Sequence, residues 1–279
     1  MHSGWKFVAV AALGGGLLGL SGCAKLEARN DLNKGVQAFK SAQFEAAEAD
    51  FKEAIRLDPT FINAKLYLAT AYQSQFVPGA DSPDNMRLGQ QAVQVYQDVL
   101  RQDPKNVNAV AGLAHLYFNM KDMDQARTWN LKQIALEPQN PTPHYFIGVI
   151  DWTRTFKANE DLRKQLGILK ASDPLIGAPP TRKNIEACRQ LAQTSMPEIE
   201  DGISQLKQAM QLRKHYANAM TYVNLLYRQK ADMECGDMAA RKTDLAKADE
   251  WVAKSLTARK LAAAEAAKAA SGGIHESSN

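Results

Sequence analysis

The spacing of small and aromatic residues constrains this chain more than any other feature, because the same few positions return along most of its length. Ala47, Phe51, Ala54 and Pro59 lie 4, 3 and 5 residues apart, and Ala92, Tyr96, Val99 and Pro104 keep those intervals, as do Ala126, Asn130, Gln133 and Pro138. Looser copies are Gly202, Leu206, Ala209 and Lys214, then Ala248, Val252, Ser255 and Lys260. Ahead of each stands an apolar residue, a small one and a tyrosine at intervals of 1 and 3: Leu68, Ala69, Tyr72; Leu113, Ala114, Tyr117; Val223, Asn224, Tyr227. Gly35 with Ala38, and Ile147, Gly148 with Asp151, are weaker versions. Intervals of three and four place residues on one helix face. Proline ends such a helix, because its ring pushes the preceding residue out of the helical region. Small side chains at Ala47 and Gly35 allow two helices to approach closely, while Phe51 and Tyr72 fill the wider gaps. No run reads as strand, so the chain is expected to be all-α.

The pattern resembles the tetratricopeptide repeat, a helix pair of about 34 residues closed by proline. Pro104 to Pro138 is one period. The resemblance implies a right-handed α-solenoid of about five helix pairs over 28–260, each pair contacting mainly its neighbours.

The repeat is interrupted inside its pairs. The small residue of the second helix normally follows the aromatic position of the first by nine residues, as from Tyr117 to Ala126. The interval is 20 from Tyr72 to Ala92, 51 from Asp151 to Gly202 and 21 from Tyr227 to Ala248. Equivalent turns of a solenoid share one edge, so the insertions are expected along that edge. In the long one, 153–200, Leu162, Leu166 and Leu169 recur at helical spacing, Pro174 and Pro179-Pro180 break the chain, and Asn184 to Gln193 reads as a second short helix. The segment is expected to fold back on the array, either as a buttress or as a lid. Asp151, at its start, replaces an aromatic residue and reads as a solvated or capping carboxylate.

Leu20-Ser21-Gly22-Cys23 closes an apolar run that starts at Phe7 behind Lys6. Fourteen such residues fall short of the roughly 20 that span a bilayer. The layout resembles the signal of bacterial lipoproteins. That resemblance implies removal of 1–22 as a signal peptide, acylation of Cys23 and a lipidated linker over 23–27. Ala24 resembles the default outer-membrane sorting signal, which implies a lipid-anchored, periplasm-facing protein. An ordinary signal peptide is the alternative. Cys188 and Cys235 remain, one in the long insertion and one in that of the next repeat; an even number in an oxidising compartment is expected to form a disulfide, with two separate thiols as the alternative. Residues 261–279 read as an Ala/Lys-rich helix end and a disordered tail.

Thirty-four basic residues face 30 acidic ones in an interleaved order, so no stripe for nucleic acid forms. Neither paired histidines, nor a CxxC, nor a phosphate-binding or nucleophile-elbow motif occurs. No catalytic residue, metal or cofactor is therefore expected, and the chain reads as a non-enzyme. In the tetratricopeptide family the first helix of each pair lines the concave face. Carried over, the partner-binding positions are Asn63 and Thr70, with Leu66 and Gln73; Asn108, His115 and Phe118; Tyr145 and Trp152; Asn218 and Arg228, with Leu225. Asparagine can pair with an extended peptide through both donor and acceptor, although it is also a favourable first-turn residue. The expected function is a membrane-anchored scaffold or assembly factor binding a protein or extended peptide in the groove. A ligand-binding or enzymatic module built on 153–200 is the alternative.

Overall fold

The computed structural model describes residues 16–168, 170, 173–176 and 181–272. Among them are ten α-helices and no strand. The chain divides between Met120 and Lys121 into two compact units. The first contains α1 (Gly16–Lys40), α2 (Phe44–Leu57), α3 (Ile62–Gln75), α4 (Pro83–Gln102) and α5 (Val107–Asn119). The second contains α6 (Met123–Leu136), α7 (Pro141–Gln165), α8 (Arg182–Leu212), α9 (Ala217–Asp232) and α10 (Met238–Gly272). Consecutive helices pack on one another: α1 with α2 and α3 with α4 in the first unit, α7 with α8 and α9 with α10 in the second.

The helix boundaries follow local chemistry. Side chains of Ser82, Asn106, Asp122, Asn140 and Thr181 accept hydrogen bonds from backbone N–H groups of the helices that they precede, satisfying donors with no partner inside the helix. At the other end Asp58, Asp103 and Glu137 precede prolines and leave the helical region, with φ of −136°, −133° and −132°. Arg213 adopts φ −132° before Lys214, so the stop persists in a copy that has lost its proline.

The small-residue positions set how closely the helices approach. A Cβ on Gly35 would lie 2.5 Å from the Phe51 ring, and one on Gly148 would lie 2.4 Å from Leu206 Cγ. Phe51 and Leu206 are fully buried there, as are Ala47, Ala54, Ala92, Val99, Ala126 and Ala209. The last copy departs from this pattern. Ala248 and Ser255 are buried in α10, but Val252 is 37% exposed and Ala258 takes up the buried stripe. With no proline near Lys260 and an alanine-rich run beyond it, α10 continues to Gly272.

The long insertion is not a separate appendage. α7 and α8 are the paired helices of the fourth repeat, extended to 25 and 31 residues and joined by the segment from Leu166 to Thr181. The short helix expected at Asn184 to Gln193 is the first part of α8. Its buried side chains run without a break through Cys188, Ser195, Ile199, Ile203 and Leu206, and Pro197 is accommodated inside the helix. One proline removes a single backbone bond, at a cost of about 3 kcal/mol, and a long buried face outweighs it. Leu162, Leu175 and Ile176 enter the same core, so the insertion buttresses the second unit from within. Leu169, Pro179 and Pro180 lie outside the described residues. Cys188 and Cys235 are bonded, with Cα atoms 5.5 Å apart, which ties α8 to the turn between α9 and α10. Closing a loop of this length contributes roughly 4 kcal/mol in the chain-entropy account.

At the amino end α1 runs continuously through 23–27, so the segment expected as a lipidated linker is helical. Residues 1–15 of the expected signal peptide and 273–279 of the expected tail lie outside the described residues.

Gly148→Ala places a methyl group against the immobile base of Leu206. We expect it to destabilise the protein by about 1–3 kcal/mol in urea unfolding, beyond the helix-propensity gain of up to about 1 kcal/mol. Unchanged or increased stability would show that the α7–α8 crossing is looser than this geometry requires.

Candidate functional site

In the first unit, α3 and α5 carry four of the expected positions into one place. Asn63, Leu66, Thr70 and Asn108 line a cavity of about 440 Å3 together with Tyr67 and Tyr96. Asn63 and Asn108 are exposed second residues of their helices, and neither caps one; the side-chain cap of α5 is Asn106. Tyr96 was not among the positions expected to bind. It reaches the cavity from α4 because Gly112 leaves room: a Cβ there would lie 2.4 Å from the ring's Cζ. Its hydroxyl donates to Gln73 Oε1 at 2.8 Å. The available signal was chemical, since the same repeat position holds phenylalanine at Phe51 and a hydroxyl-bearing ring at Tyr96.

His115 extends this polar row. Its Nδ1 lies 2.9 Å from Gln73 Nε2 and 3.3 Å from Asn119 Nδ2, and burial lowers its pKa below the ordinary histidine value. Phe118 is half-buried and does not line the cavity.

The second unit presents a different surface. Tyr145 and Trp152, both half-buried on α7, belong to an aromatic cluster. Tyr145 lies 5.1 Å from Tyr216 and 5.8 Å from Tyr222, while Trp152 lies 5.3 Å from Tyr222 and stacks on Phe156 at 5.2 Å. These rings therefore pack against one another rather than forming separate open pockets. Burial, reinforced by the neighbouring tyrosines, raises the Tyr145 hydroxyl to about 12. Asn218 is exposed at the start of α9 and stands apart from the cavity beside Trp152.

That cavity, of about 550 Å3, is lined by Trp152, Phe156, Leu225 and Ile168, with Arg228 and five further charged side chains around them. A polar network fixes its floor. Arg163 pairs with Asp232 at 2.8 Å and donates to the carbonyl oxygens of Lys170 and Asp173. Asn159 donates to Asp232 at 3.0 Å, and Gln229 donates to the Trp152 carbonyl at 3.3 Å. Arg228 is held outward by Asp249 at 2.7 Å. Thus the groove positions Trp152, Leu225 and Arg228 share a site with Phe156 and Ile168, which the insertion supplies.

Asp151 is not a solvated or capping carboxylate. It is fully buried, because Gly202 leaves room for it on the facing helix and Arg127 Nε reaches it at 3.1 Å from α6. Arg127 also binds Asp201. Desolvation outweighs the arginine, with Asp201 and Glu198 adding repulsion, and raises the Asp151 carboxyl to about 7. Cys23 is exposed on α1. No helix among the described residues is long and apolar enough to cross a membrane.

Family models described as tetratricopeptide repeat match residues 28–61 and 89–147, so the chain carries repeats of this type. Comparison with curated protein sequences finds no match. Among solved structures, one described as MamA protein is 14% identical with a TM-score of 0.56, over 84% of this chain and 92% of its own. A MamA structure from Desulfovibrio magneticus RS-1 is 15% identical with a TM-score of 0.54, over 84% of this chain and 96% of its own. At this identity the likeness establishes the fold.

The burial of Asp151 has a measurable consequence. Its carboxyl sits at about 7 in the folded chain against an ordinary 3.8. Between those values the folded protein holds a proton that the unfolded chain has released, so this group's contribution to stability is greatest in acid and declines as pH rises through the window. Asp151→Asn should therefore gain stability relative to the wild type between about pH 4 and pH 7, in paired denaturation curves. Parallel pH profiles of the two proteins would show that the carboxyl titrates normally.

Proposed function

We propose that this chain is a lipid-anchored envelope protein that acts as a scaffold, binding a protein partner or extended peptide through the first helices of its repeats. The observation that carries the reading is the convergence of Asn63, Thr70 and Asn108 on one cavity with Tyr96. Two exposed amides from successive first helices offer both donors and acceptors to one cavity, and backbone pairing of this kind holds an extended segment. The aromatic cavity of the second unit supports the same role with a different chemistry, since buried aromatic anchors carry much of the energy in protein interfaces. It also favours the second reading in part, a ligand-binding module that uses the long insertion, because residues of 153–200 form one of its walls.

The anchor rests on Leu20-Ser21-Gly22-Cys23 and on the exposure of Cys23. Each acyl methylene buried in a bilayer contributes about 0.8 kcal/mol, so two or three chains hold a protein durably. The Cys188–Cys235 bond is consistent with an oxidising compartment such as the periplasm.

Two substitutions test these claims separately. Cys23→Ser should move the protein from the membrane fraction to the soluble one, or leave its leader uncleaved; unchanged fractionation with no acyl mass on the N-terminal peptide would remove the anchor. Asn63→Ala with Asn108→Ala should lose partner capture from envelope extracts while the melting temperature stays within a few degrees, because exposed side chains contribute little to stability. Undiminished capture would place the partner elsewhere.

A further inference from the structure

We propose that the cavity between α7, α9 and the segment after α7 is a docking pocket for a large apolar side chain of an acidic peptide segment. The inference rests on the scaffold reading above and gives the second unit its own ligand chemistry.

Three independent features converge there. The first is apolar surface left open to solvent. Phe156 is 46% exposed although it stacks on Trp152, and Leu225 and Ile168 flank the same space. A volume of about 550 Å3 suits one or two bulky side chains with their backbone.

The second feature is charge. The lining includes four cations, Arg163, Lys164, Lys170 and Arg228, against two carboxylates, Glu160 and Asp232. Both carboxylates are already engaged, Asp232 by Arg163 at 2.8 Å and Glu160 by Lys164 at 3.5 Å. Lys170 is exposed and makes no ion pair among the described residues, and the only carboxylate that holds Arg228 there is Asp249, outside the lining. The surplus at the rim is thus positive, and complementary charge both steers and selects a partner.

The third feature is an acceptor without a donor. Asn159 is 4% exposed in the cavity wall; its Nδ2 donates to Asp232, while its Oδ1 is buried with no hydrogen-bond partner. Buried polar atoms are almost always paired, so this orphan acceptor marks a cavity wall whose hydrogen bonding is incomplete as it stands. This polar wall is what distinguishes a peptide site from a fatty-acyl site, where an unpaired amide would be left facing hydrocarbon.

The test uses the full-length oxidised protein and three capped, fluorescein-labelled peptides read by anisotropy. One carries phenylalanine flanked by glutamates; the second replaces phenylalanine with serine, and the third replaces the glutamates with lysines. The first should bind at least about tenfold more tightly than either of the others. Phe156→Ser and, separately, Lys170→Glu with Arg228→Glu should each weaken it by about tenfold or more, with folding checked by circular dichroism. Asn63→Ala with Asn108→Ala should leave this binding unchanged, so failure of the first unit's role and failure of this one are distinguishable. Equal binding of the three peptides, loss of binding through the first-unit variant alone, or no binding of any peptide would each overturn the proposal.

Discussion

Close helix crossing at residues without bulk is the constraint on which the rest of this structure depends. A pair of short helices has little apolar surface to bury, and it buries enough only if the backbones come near to each other. Gly35 against Phe51 and Gly148 against Leu206 set that distance within two pairs. Gly112 against Tyr96 does more, because the same absence of a side chain lets a phenol pass from α4 to the face where α3 and α5 place their amides. Packing and site are therefore one geometric fact in the first unit. In the second unit Tyr145 and Trp152 flank Gly148 along α7, so the aromatic cluster is positioned by the helix whose approach to α8 that glycine governs.

The two units offer chemically different surfaces. The first gathers amides and hydroxyls around one cavity, with the His115 imidazole hydrogen-bonded beside it through Gln73, suited to backbone recognition. The second gathers rings and a net positive rim, suited to a side-chain anchor. The extension of α7 and α8 makes the difference. Phe156, Asn159 and Arg163 lie one to three turns beyond Trp152 on the continued α7, and Arg163 holds the following segment by its carbonyls. The Cys188–Cys235 bond ties the extended α8 to the turn just after Asp232, the residue that Arg163 and Asn159 share.

How much of this was legible in the sequence follows from the range of each interaction. The helix pairs, their close crossings and their stops are encoded at intervals of three, four and five residues, and these are visible in one line of sequence. The positions that meet in the first cavity were legible because a repeat carries its geometry with it: Asn63 and Asn108 fall at the same register of successive first helices. The long insertion was expected to fold back on the array as a buttress or a lid, but its continuity with α7 and α8 was not legible. Its prolines fall inside the connecting segment, whereas Pro197 does not break α8, and nothing local distinguishes these cases. Asp151 was misread for a related reason. Its burial is decided by Gly202 and Arg127, which lie 51 residues after it and 24 before it, and no short-range pattern reports a partner so distant. Tyr222 and Phe156 escaped notice because they join the aromatic cluster from positions outside the repeat's contact register.

The most direct measurement of the central claim is position-resolved photo-crosslinking in intact cells, with a benzophenone side chain placed singly at Asn63, Asn108 and Phe156 and, for comparison, at Gln90 and Lys207 on the exposed faces of the second helices α4 and α8. The account predicts discrete protein adducts from the first three positions and none from the last two. Adducts distributed without regard to position, or confined to α4 and α8, would contradict a scaffold that binds through its first helices.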